Sequence, residues 1–269
     1  MSNNRIDAMF ARKAAEGKKA LITFTTAGDR SLAMTKRLVL EMERAGADLV
    51  ELGVPYSDPI AEGPVIQAAN VRALKNDVRM DTLFQMVREL RQSTQVPLVF
   101  LIYLNCILQY GPDAFFTRCA EAGVDGVIVP DLSFEESGEI SDEAGAHGVR
   151  LIRLVAPTSG QRIERIAREA EGFLYCVSSL GVTGVREGFR TDFERYFEQI
   201  NGAKAAPAAL GFGISTPEQV RQMKRYADAV IVASAIVRRM AEAPGEAEAV
   251  RAAASFVAEL KAALDEPAS

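Results

Sequence analysis

Three acids fall close together in ELGVPYSDPIAEGP, residues 51–64: Glu51, Asp58 and Glu62. Glu51 follows the apolar run AGADLV, which reads as a buried strand, so its carboxyl group is expected inside the protein. Burying an acid is costly unless it is paired or put to use. Asp58 and Glu62 follow in a loop stiffened by Pro55, Pro59 and Pro64. A buried and a loop-borne carboxyl group near each other point to acid–base chemistry. For Asp58, which precedes Pro59, a turn cap is the plainer reading, and for Glu51 the alternative is a buried ion pair.

A second group of residues is suited to an anion. SSLGVTGVREG, GFGISTPEQ and ASAIV open three consecutive late loops. Glycines let the backbone approach a ligand, and a helix N-terminus favours negative charge. The plainer reading is that Gly211 and Gly213 only relieve crowding. Other chemistry is scarce. His147 is the only histidine, so a multi-histidine metal site is excluded and a Ser-His-Asp triad would have to use it. Cys106, Cys119 and Cys176 are isolated and odd in number, which argues against a disulfide framework.

The elements that must position these residues alternate along the chain. Strands are predicted at 20–26, 48–54, 97–103, 126–130, 150–156, 173–178, 207–213 and 229–234. Amphipathic helical patterns lie between them, such as 31–46, 81–93, 113–123 and 216–227, and several end at glycine. Eight β/α units with strands apolar on both faces predict a single (β/α)8 TIM barrel domain over residues 1–269. An additional N-terminal amphipathic helix is expected ahead of it. An open doubly wound sheet is the competitor, but no GxGxxG follows the first strand. In such a barrel the chemistry sits at the C-terminal ends of strands. That rule selects Glu51, Asp58, Glu62, Tyr103, Asn105, Asp131 and Tyr175. It selects no lysine, which disfavours Schiff-base chemistry. Phe24, Leu101, Ile128, Pro130 and Leu154 stand near strand ends, as core or as an apolar pocket wall.

Composition is that of an ordinary globular chain of 269 residues, 48% hydrophobic and 25% charged, with net charge −5. Nothing in it suggests a nucleic-acid surface or a membrane span, and the N-terminus lacks the apolar core of a signal peptide. A cytoplasmic location is expected. Read from the residues alone, the function is acid–base chemistry on a phosphorylated substrate with an apolar moiety.

ELGVPYSDPIAEGPVIQ, TAGD, VPDL, APTS, SLGVTG and GFGIS, in this order, resemble the α subunit family of tryptophan synthase over nearly the whole chain. The resemblance implies cleavage of indole-3-glycerol phosphate to indole and glyceraldehyde 3-phosphate. It implies no cofactor in this chain, and a β-subunit partner, in an α2β2 heterotetramer, that uses pyridoxal phosphate. Carried over residue by residue, it makes Glu51 the proton shuttle at indole C3 and Glu62 the base toward the indole nitrogen. Tyr175 is placed beside Glu51, and Thr183 in a mobile loop. Gly184, Gly213 and Ser234, preceded by Ala233, are implied at the phosphate. Phe24, Leu101, Ile128 and Leu154 are implied around the indole, and Pro55, Ser57 and Asp58 in the loop facing the β subunit.

Three positions depart from the family pattern: Glu62 for aspartate, Arg30 where proline is common after TAGD, and Ala233 where glycine often precedes the serine. Desolvation should raise the pKa of Glu51 in an apolar barrel, whereas loop-borne Glu62 should stay ionised. Three other readings stay open at this point: a free-standing lyase, a barrel that only binds and activates a partner, and a phosphate-binding isomerase.

Overall fold

The apolar, β-branched runs become strands because both faces are buried, on the barrel interior and beneath the helices. In the computed structural model, which describes residues 4–177, 192–211 and 213–267, eight parallel strands close a barrel in chain order. They are β1 (Ala20–Thr26), β2 (Leu49–Gly53), β3 (Leu98–Leu101), β4 (Gly126–Ile128), β5 (Arg150–Val155), β6 (Leu174–Val177), β7 (Ala208–Gly211) and β8 (Ala229–Val232). The ring shuts where Ala20 pairs with Ala229 and Ile22 with Ile231. This is the (β/α)8 fold class expected from the sequence.

The helices of the first half are α1 (Arg5–Ala15), α2 (Leu32–Arg44), α3 (Pro64–Leu74), α4 (Met80–Arg91), α5 (Leu104–Tyr110) and α6 (Pro112–Ala122). Those of the second half are α7 (Gly138–Ala146), α8 (Arg162–Arg168), α9 (Phe193–Asn201), α10 (Pro217–Met223), α11 (Ser234–Glu242) and α12 (Glu246–Asp265). His147 caps the C-terminus of α7, as its place in a helix-to-strand turn suggests.

Alternate strand residues serve two cores. Ile22, Leu49, Val99, Ile128, Ile152, Phe173 and Ile231 fill the barrel interior, while Leu21, Val50, Leu98, Val127, Leu174 and Val230 pack under the helices. The N-terminal end of the barrel is closed by α1, whose Ile6, Met9 and Phe10 join the interior cluster. Asn4 holds that plug by capping Ile6 N–H and donating to the carbonyls of Asp125 and Gly148. With one end plugged, the interior is open to chemistry only at the C-terminal ends of the strands.

The loop after β1 is tied across that open end. Arg72 on α3 makes a two-pronged ion pair with buried Asp29, at 2.7 and 2.8 Å. Asn76 donates to the carbonyls of Gly28 and Arg30. Arg30 stands at φ 68°, in the left-handed region. Proline, with φ fixed near about −65°, cannot occupy that conformation. The backbone path at position 30 of this chain is therefore one that proline could not take.

Candidate active site

Glu51 is the third residue of β2 and alternates with inward-facing Leu49, which puts its side chain inside the barrel. Its neighbours in register are Phe24 on β1 and Val99 on β3. It is 1% exposed, and neither carboxyl oxygen has a hydrogen-bond partner. Among the described residues no cation pairs with it, so the buried ion pair considered for Glu51 does not form there. Desolvation alone pushes its pKa up to about 8, so the group is mainly protonated at neutral pH. Tyr175 lies close enough to feel the Glu51 charge, which adds to burial in raising the tyrosine's own pKa.

Glu62 differs from expectation. It lies in the loop after β2 but is buried, 6% exposed, rather than solvated. The cause is Tyr103, whose hydroxyl donates to the Glu62 carboxylate and accepts the N–H groups of Ile60 and Ala61, at 2.9 and 3.0 Å. One phenol thus holds the loop and its acid together. Burial pushes the Glu62 pKa up and the Asp131 charge adds to this, against the lowering effect of the Tyr103 hydroxyl and backbone N–H donors. The two carboxyl groups are therefore unlike in kind. One is bare and neutral; the other is held by donors that favour its charged form. Asp131 accepts the N–H of Leu104 at the start of α5, at 2.9 and 3.2 Å, and so acts as a helix cap.

The apolar residues divide. Ile128 is fully buried in the barrel core, whereas Leu101 and Leu154 are half-buried above it. Phe24 packs with Ile66, Ala69 and Val237 beneath Leu101 and Ala233. Two glycines make room for the rings. A Cβ on Gly53 would lie 2.5 Å from Phe24, and one on Gly211 would lie 2.8 Å from Tyr175. For Gly211 the crowding explanation is correct. Gly211→Val should therefore displace Tyr175 and destabilise the fold by about 1–3 kcal/mol; a thermal melt checks this, and an unchanged midpoint contradicts it.

Two of the late-loop positions expected at an anion, Gly213 and Ser234, fall among the described residues. Gly213 follows β7 at φ 82°, a conformation suited to glycine. Ser234 begins α11 directly after β8, with Ala233 as its N-cap residue at φ −118°. The late loops of a barrel together with a short extra helix are the usual phosphate position in this fold. Thr183 and Gly184 lie outside the described residues. On the outer rim Pro55 is buried, while Ser57 and Asp58 are exposed and hydrogen-bonded to each other.

Two residues gain importance that their sequence context understated. Tyr103 was predicted to close the third strand; it instead caps α5 and grips Glu62. Its signal was its place at a strand's C-terminal end. Thr26 extends the inward alternation of Ala20, Ile22 and Phe24, and its buried hydroxyl has no partner. Among the described residues no cluster of three metal-ligating side chains occurs, and no helix is long and apolar enough to cross a membrane.

Comparison with known proteins agrees with this geometry. The sequence profile of the family described as "Tryptophan synthase alpha chain" matches residues 10–265. A tryptophan synthase alpha chain from a Thermoanaerobacter species is 46% identical over 261 residues, covering 97% of this chain and 100% of that one. One from Clostridium kluyveri is 44% identical over 262 residues, with 97% and 100% covered. The crystal structure of the alpha chain from Legionella pneumophila superposes with a TM-score of 0.87 at 37% identity, over 97% of each chain. A chain of Mycobacterium tuberculosis tryptophan synthase gives 0.89 at 30% identity, over 98% of this chain and 99% of that one. By profile, sequence and fold alike, this chain belongs to the tryptophan synthase alpha chain family.

Proposed function

We propose that this chain cleaves indole-3-glycerol phosphate by a retro-aldol reaction to indole and glyceraldehyde 3-phosphate, as the alpha subunit in L-tryptophan biosynthesis. The observation that carries the reading is Glu51: an unpartnered carboxyl group inside the barrel, with its pKa pushed up to about 8. An acid in that state has a proton to give at neutral pH and, among the described residues, no hydrogen-bond acceptor to give it to. Adding indole-3-glycerol phosphate to the purified chain and measuring indole tests it; no indole, with or without a β subunit, would overturn it.

The chemistry assigns each acid a task. Glu51 protonates indole C3 while Glu62 takes the ring N–H proton, giving the indolenine tautomer. Glu51, now ionised, accepts the proton of the side-chain hydroxyl as the carbon–carbon bond breaks. The bonding pair flows through C2 toward the ring nitrogen, which regains its proton from Glu62. Both acids end as they began. Leu101 and Leu154, with Phe24 behind them, supply the apolar wall for the ring. Gly213 and Ser234, with Ala233 between β8 and α11, receive the phosphate. The methyl group of Ala233 replaces a bare backbone there and should weaken that contact.

The partner reading has its own support. The loop carrying Glu62 ends in an outer rim where Ile60 is 70% exposed beside exposed Ser57 and Asp58. An apolar side chain so exposed, on the loop that holds the base, suits a β subunit that docks there in an α2β2 assembly. Pyridoxal phosphate would serve that subunit's reaction of indole with serine, and both would work in the cytoplasm. Docking on this rim would order the loop and couple binding to rate. Indole release should therefore be slow for the chain alone and at least about fivefold faster with the cognate β subunit. Equal turnover in both assays would support the free-standing lyase instead.

A further inference from the structure

Arg30 and Ala233 lie at opposite ends of one helix, α11. Ala233 precedes its N-terminus, the proposed phosphate position. Arg30 sits at its C-terminus, reaching from the loop after β1. Its guanidinium donates to the carbonyls of Met240 at 2.9 Å, Ala243 at 2.5 Å and, more weakly, Ala241 at 3.4 Å. Met240 and Ala241 belong to the last turn, whose carbonyls lack i+4 partners, and Ala243 is the C-cap residue, whose own N–H also goes to the Met240 carbonyl. Arg239, the cation in the helix's own last turn, is turned away, with its guanidinium 3.8 Å from the centre of the Phe256 ring.

The arm that carries Arg30 is itself held. Asp29 is locked to Arg72 on α3, and Asn76, in the turn just after α3, grips the Arg30 carbonyl. Ser31 caps α2 and donates to Glu246 at the start of α12, at 2.7 Å. Arg30 itself has a left-handed backbone, at φ 68°. From α3, the helix that follows the Glu62 loop, a continuous set of polar contacts reaches the helix that faces the phosphate.

We infer that Arg30 is a positioning residue for the phosphate site: by capping the C-terminus of α11 it fixes where Ser234 and the helix N-terminus stand. A cation at the negative end of the helix also favours the helix's alignment toward an anion at the other end. This rests on the reading that the substrate phosphate lies at that N-terminus.

The test compares Arg30→Met, Arg30→Lys and a control, Lys224→Met. Lys224 caps the C-terminus of α12 through the carbonyls of Ala263 and Leu264, at 3.0 and 3.2 Å, near the plugged end of the barrel. The readouts are KM and kcat for indole-3-glycerol phosphate, the Kd of inorganic phosphate by calorimetry, and the melting temperature. Arg30→Met should raise KM and the phosphate Kd about three- to tenfold, with kcat within about twofold. Arg30→Lys should recover part of the loss, because an ammonium group can reach one of the carbonyls. Lys224→Met should lower the melting temperature and leave KM and Kd alone. If folded Arg30→Met keeps wild-type KM and Kd while melting earlier, Arg30 is only a structural cap and the inference is wrong. If the wild-type chain itself neither binds phosphate nor turns over substrate, the site reading fails first and the inference falls with it.

Discussion

Replacing Glu51 with glutamine is expected to cut indole release by about 10²–10⁴-fold and, in the same protein, to raise stability. The loss follows from the missing proton, since glutamine fills the same space but cannot donate to C3 and then accept from the hydroxyl. The gain follows from linkage. With its pKa raised from 4.5 to about 8 on folding, Glu51 keeps its proton in the folded chain over a range where the unfolded chain has released it. Wild-type stability therefore declines as pH rises from 4.5 toward 8 and levels off above that. Glutamine has no such dependence. Near neutral pH the variant should be more stable by roughly 3 kcal/mol, and near pH 4 the two should converge. Denaturant titrations at several pH values check this; a variant that is inactive and also less stable throughout would mean that Glu51 packs rather than titrates.

Loss of Glu62 should cost a similar factor, and Tyr103 decides how the loss divides. Glu62→Ala removes the acceptor for the ring N–H, so indole release should fall by about 10²–10⁴-fold. Glu62→Asp keeps a carboxylate but shortens the reach, which can cost about 10²-fold. It should therefore be slower than wild type yet faster than the alanine variant. Tyr103→Phe leaves the acid in place and removes both its donor and the acceptor for the Ile60 and Ala61 N–H groups. Without that donor the Glu62 pKa should climb further, so the acidic limb of the pH–rate profile should move to higher pH. Wild-type kcat for Glu62→Ala in the presence of a β subunit would refute the base role. Asp131 would then be a poor substitute, because its carboxylate already caps α5.

The strands are legible because most of their residues are apolar on both faces, and the predicted run at 20–26 coincides with β1. Others were read too long at their C-terminal ends, where apolar residues continue past the last ladder bond. PLVFLIY is the instructive case: Leu98–Leu101 pairs in the sheet, whereas Tyr103 turns to cap α5. Glu51 was legible as a buried acid from its local sequence alone. The burial of Glu62 was not, since it depends on a phenol 41 positions away. The left-handed backbone of Arg30 was equally hidden. An arginine after TAGD gives no local sign of the helix end it will cap some 210 residues later. Contacts within one element can be read along the chain, whereas those between elements depend on how the barrel closes.

The proposed mechanism requires Glu51 to hold a proton inside the barrel, and that proton can be observed. Isotope-edited infrared difference spectroscopy of the wild-type chain against Glu51→Gln isolates the carbonyl stretch of this one carboxyl group as pH is raised. The protonated band should persist through neutral pH and titrate away with a midpoint near 8. A band that titrates away with a midpoint near 4.5, the ordinary position for a glutamate, would show Glu51 ionised at neutral pH where an acid is required and would contradict the proposed mechanism at its first step.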